Sequence, residues 1–99
     1  MSKIPAADRT LQLLMLMAEI GQPATAARLA NQLGMPRSSC YQLLEALAQQ
    51  GFAIHFPEDK KWGLGLAAWE LGSAYKRHEP LERLATPVLS KLVTEIGQK

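Results

Sequence analysis

Between two short helical patterns the chain reads Leu33-Gly34-Met35-Pro36, and this turn constrains the fold more than any other feature. Glycine tolerates the left-handed conformation that ends a helix, and proline is pre-organised for a first helical turn. The spacing predicts a short helix two, opened by Thr25 as N-cap and carrying Leu29, Ala30 and Leu33. A third helix is predicted over 36–50, with Pro36 in its first turn, Gly51 as its cap, and Cys40, Leu43, Leu44 and Leu47 as its apolar stripe. Two helices joined this tightly form a helix-turn-helix.

Upstream, Asp8 is the expected N-cap of a first helix that Gly21 ends. Its apolar residues Leu11, Leu13, Leu14, Met15, Leu16, Met17 and Ile20 cover nearly the whole circumference, more than one face of a small domain hides. A homodimer contact through Leu13, Leu16 and Met17 accounts for the surplus; core packing alone is the alternative.

After Gly51 the period changes. Phe52, Ile54 and Phe56 alternate with Ala53 and His55 as in a half-buried strand, and the polar loop 57–61 leads to Trp62-Gly63-Leu64, which together read as a small hairpin. Trp62 and Trp69 are expected to pack this wing onto the helices. Residues 67–76 return to helical character, and Pro80 marks the next break. Leu81, Leu84 and Ala85 begin an amphipathic segment that Pro87 interrupts; Thr86 then caps a last helix carrying Val88, Leu89, Leu92 and Ile96. Leu81 and Leu84 join the expected dimer contact.

The fold class is therefore mainly α: a three-helix core plus a two-stranded wing, a winged helix-turn-helix, followed by linker helices. With 99 residues and 47% hydrophobic content, one modest core is what such a chain can build. The single cysteine, Cys40, forms no internal disulfide and is read as a small core hydrophobe, and the two histidines have no metal-ligand spacing. No metal, cofactor or catalytic residue is expected: there is no phosphate-binding glycine loop, nucleophile elbow or carboxylate cluster. The apolar run from Leu11 to Ile20 is half a membrane span and carries Gln12 and Glu19, and no export signal precedes it. A cytoplasmic setting is expected.

Function turns on what helix three presents outward. Arg37, Ser38, Tyr41 and Gln42 remain once the apolar stripe is subtracted, with Ser39 at the edge and Glu45 beyond. Such hydrogen-bonding groups suit a major groove: Arg pairs with guanine or phosphate, Gln with adenine, Tyr with a phosphate or a thymine methyl, and Ser hydroxyls with phosphates. The alternative is a merely solvated helix. Lys60 and Lys61 at the hairpin tip are candidate backbone contacts, although Glu58 and Asp59 beside them partly cancel their field. Arg9 and Thr25, at the starts of helices one and two, complete the candidate DNA-contact set. A net charge of +2 permits a nucleic-acid partner without demanding one.

The run Leu33-Gly34-Met35-Pro36-Arg37-Ser38-Ser39-Cys40-Tyr41-Gln42-Leu43-Leu44, with Gly51-Phe52, Trp62-Gly63-Leu64-Gly65 and Leu71-Gly72 in order after it, resembles the isocitrate-lyase-regulator (IclR) family of bacterial transcription factors. The resemblance implies a dimeric regulator that binds a pseudo-palindromic operator in double-stranded DNA. It places Arg37, Ser38, Ser39, Tyr41 and Gln42 on the DNA-reading helix and Lys60 and Lys61 on the wing. It also divides the chain into a DNA-binding domain over 1–78, a linker helix over 79–85, and, over 86–99, the first helix of an effector-binding domain whose remainder is absent. A small-molecule effector would act only through that remainder. Gln42 departs from the base often found there in the family, and this implies a modest salt dependence of binding. A winged-helix module that binds protein instead of DNA is the other reading; the helix-three face, with Tyr41 as its one large anchor, argues against it.

Overall fold

The computed structural model describes residues 3–77. Expectations for His78, the linker over 79–85 with Leu81 and Leu84, and the helix over 86–99 lie outside them. The elements are α1 (Pro5–Ile20), β1 (Ala24–Thr25), α2 (Ala26–Leu33), α3 (Arg37–Gln49), β2 (Ala53–Phe56), β3 (Lys61–Leu64) and α4 (Leu66–Arg77). This is the winged helix-turn-helix architecture, with one addition: the sheet has three strands in the order β1-β3-β2, all antiparallel. The two-residue β1 is too short to alternate, so no periodicity marks it in the sequence.

Three glycines in the left-handed region set the helix ends. Gly34 (φ 67°) closes α2; Met35 N–H then donates to Ala30 C=O at 3.0 Å, and the Met35 side chain is buried, the hydrophobic closure that accompanies such a cap. Gly51 (φ 83°) closes α3 in the same way, with Phe52 N–H donating to Leu47 C=O at 2.8 Å. Gly21 (φ 77°) ends α1. Two helix starts differ from expectation. Pro36, extended at ψ 146°, is the N-cap of α3 and not its first helical residue. On α1, Pro5 stands in the first turn behind Ile4, so Asp8 lies inside the helix, where its charge meets the positive helix end instead of capping it.

The chain divides into two compact units, Met1–Ala68 and Trp69–Lys99. In the first, Leu13, Leu29, Cys40 and Leu44 are fully buried, one or two from each of α1, α2 and α3, with Met17, Ala26, Ala30, Met35, Leu47, Ala53 and Trp62 around them. Burial pushes the Cys40 thiol above its ordinary range, so at neutral pH it stays protonated and unreactive. Leu13 and Met17 belong to this core, which corrects their assignment to a partner surface; Leu16 is half-buried. The expected alternation holds only in part: Phe52 is half-buried against the core, but on β2 the small Ala53 is buried while Ile54, His55 and Phe56 are exposed. Pairing sets Ala53 opposite Leu64 and His55 opposite Trp62, and the buried Trp62 indole, not Ile54 or Phe56, is the large side chain that the strand pair gives the core. In the second unit, the described residues 69–77 carry exposed Trp69, Leu71 and Tyr75.

The strand-to-α4 connection crosses the α3-to-β2 connection at backbone distance. Gly65 N–H donates to Phe52 C=O and Ala67 N–H to Gly51 C=O, both at 2.9 Å, and a Cβ on Gly65 would overlap the Gly51 carbonyl. Gly65→Ala should therefore lower the unfolding free energy by about 1–3 kcal/mol or more, read as a lower urea midpoint at unchanged slope.

Candidate nucleic-acid interface

Packing of α3 through Cys40, Leu44 and Leu47 leaves Arg37, Ser38, Ser39, Tyr41, Gln42 and Glu45 exposed. The five expected contact residues of α3 are thus on its outward side, and the Schellman closure at Gly34 fixes the direction from which α3 departs.

Tyr41 does not project freely. Its ring meets Trp62 edge-on, with centroids 6.3 Å apart, and His55 stacks on Trp62 at 4.3 Å from the neighbouring strand. The α3 tyrosine, the buried indole and the exposed histidine therefore form one aromatic ladder from α3 to the wing. Trp62 Nε1–H is buried without a hydrogen-bond partner among the described residues. Leaving such a group unpaired costs about 1–3 kcal/mol, which the area and ring contacts of the indole offset. Sequence reasoning assigned His55 no role in the ladder, because cross-strand register joins it to Trp62.

The wing turn places Lys60 at φ 56°, a left-handed conformation uncommon outside glycine, after Asp59 N–H and Lys60 N–H donate to Phe56 and Pro57 carbonyls at 3.2 Å. Lys61 opens β3 and pairs with Thr25 of β1 on one side and Phe56 of β2 on the other. That pairing brings the wing to the start of α2: Gln22, Pro23, Thr25, Arg28, Asp59 and Lys61 line one shallow cleft. Thr25 Oγ1 accepts from Arg28 N–H at 3.1 Å, an N-cap that leaves its O–H free to donate outward. Arg28 was not singled out in the sequence; its third position after the Thr25 cap was the available signal. Arg9 is exposed on α1, which packs on α2 and β3.

Among the described residues there is no group of acids, histidines or cysteines able to hold a metal ion, and no helix is long and apolar enough to cross a membrane. The fold, with its polar outward face on α3, is that of a winged helix-turn-helix domain. Residues 6–54 match the IclR helix-turn-helix domain. The chain is similar to the transcriptional repressor IclR of Escherichia coli K12, 31% identical over 96 residues that cover 97% of this chain and 35% of that protein. Its fold is similar to Pseudomonas aeruginosa HmgR, with a TM-score of 0.69 at 29% identity over 92% of this chain and 39% of that one. The Thermotoga maritima IclR structure shares the fold, with a TM-score of 0.64 at 19% identity over 90% of this chain and 36% of that one. The chain belongs to the IclR family of DNA-binding transcription regulators. It spans about a third of the length of the curated relatives it matches.

Because the Thr25 hydroxyl holds an α2 donor and β1 together at one point, Thr25→Ala should cost about 1 kcal/mol of stability, and Thr25→Ser should retain most of it. Thermal unfolding of the two variants checks this.

Proposed function

We propose that the chain binds double-stranded DNA sequence-specifically as a homodimer, each protomer placing α3 in a major groove of a pseudo-palindromic operator. The observation that carries the reading is the outward face of α3, where Arg37, Ser38, Ser39, Tyr41 and Gln42 are all exposed on a helix anchored by its opposite side. Half-sites lie roughly 34 Å apart, one turn of the duplex. Tyr41 and Gln42 read base edges; Arg37 reads guanine or a phosphate; Ser38, Ser39, Thr25, Lys60, Lys61 and Arg9 hold the backbone. The setting is the cytoplasm, where the operator is.

The dimer contact is proposed on the outer side of α1. Leu11 and Met15 are 61% and 68% exposed, and with Leu16, Ala18 and Leu33 they line a shallow apolar groove. On sequence alone, residues 79–85 are proposed as a linker helix contributing Leu81 and Leu84 to the dimer, and residues 86–99 as the start of an effector-binding domain through which a small molecule would act.

Selection from a pool of random duplexes, followed by sequencing, should enrich a two-fold-symmetric motif; no enrichment at any salt concentration would remove the reading. On that motif, Tyr41→Ala or Gln42→Ala should reduce specific binding by roughly tenfold or more while sparing non-specific binding, and Lys61→Ala should weaken both alike. Equal effects from all three would cancel the base-reading roles. Met15→Glu should shift the sedimenting species toward monomer and weaken operator binding together; an unchanged dimer would move the contact elsewhere.

A further inference from the structure

Arg28 stands where two clefts meet. It lines the wing-side cleft with Thr25, Asp59 and Lys61, and a second cleft across the turn with Asn31, Met35 and Arg37. We propose that Arg28 binds a DNA backbone phosphate and so joins Arg37 and Lys61 into one cationic track from the recognition helix to the wing.

The inference rests on the DNA-binding reading above and adds to it a contact that neither the periodicity nor the family motif marks. Arg28 is exposed and, among the described residues, makes no ion pair, so its guanidinium is uncommitted. Its backbone is fixed at the start of α2 by the hydrogen bond to Thr25 Oγ1. The Thr25 hydroxyl proton remains free on the same cleft. A planar guanidinium with a nearby ammonium and hydroxyl matches a phosphate diester, which accepts two parallel N–H bonds from arginine and further donors at its other oxygen. Two cations, Arg28 and Lys61, face one carboxylate, Asp59, in the wing-side cleft. The surplus positive charge favours a phosphate, and Asp59 opposes it.

The test is fluorescence anisotropy of a labelled mixed-sequence duplex titrated with wild-type chain, Arg28→Ala, Arg28→Lys and Asp59→Asn over a range of salt. Arg28→Ala should reduce the slope of log affinity against log salt by about 0.9 per bound protomer, and Arg28→Lys should keep the slope. Asp59→Asn should tighten binding roughly threefold at low salt, the gain vanishing at high salt. Circular-dichroism melts of each variant identify any loss of fold, in which case Asp59→Asn and Arg28→Lys carry the test. A wild-type slope retained by folded Arg28→Ala overturns the phosphate contact while leaving the DNA reading intact. Absence of binding by the wild-type chain overturns that reading and this one with it.

Discussion

The central strand β3 is the part on which the remainder of the domain depends, and Trp62 is its working residue. Through its backbone β3 pairs on one edge with β1, which runs directly into the capped start of α2, and on the other with β2. Through the indole it fills the sheet's inner face and meets Tyr41 of α3. The wing and the two helices of the helix-turn-helix are thus tied at one residue. The buried, unpartnered Nε1–H shows that shape, not hydrogen bonding, holds Trp62 there.

Glycine placement does the rest of the positioning. The left-handed exits at Gly34 and Gly51 bound α3 on either side, and the close crossing at Gly65 leaves no room for a side chain where α4 departs. These are the same residues whose order gave the family resemblance, and their physical content is backbone geometry. Between them, α3 needs no functional group of its own for stability: its apolar side supplies the core, and its polar side is free.

Much of this was legible in the sequence because helix-turn-helix signals are local. Caps, turn glycines and the 3.6-residue stripe of Cys40, Leu44 and Leu47 act within a few residues of one another, so the element order, the turn and the outward face of α3 follow from spacing. The misplaced features depend on contacts between distant segments. Strand β1 exists only because Lys61 and Trp62 come alongside it; which residue of β2 is buried is set by register with β3; and α1 is apolar around nearly its whole circumference, so its buried side is undetermined until α2 and β3 pack on it.

The sequence by itself determined which residues turn, cap and line each helix, because those preferences are settled by the backbone and by side chains one turn away. Only the tertiary structure decided which side of α1 is core and which remains exposed, that His55 and Tyr41 share one indole, and that Arg28 stands between Arg37 and Lys61. Those relations join residues far apart in the chain, and close packing and strand register, not spacing, bring them together.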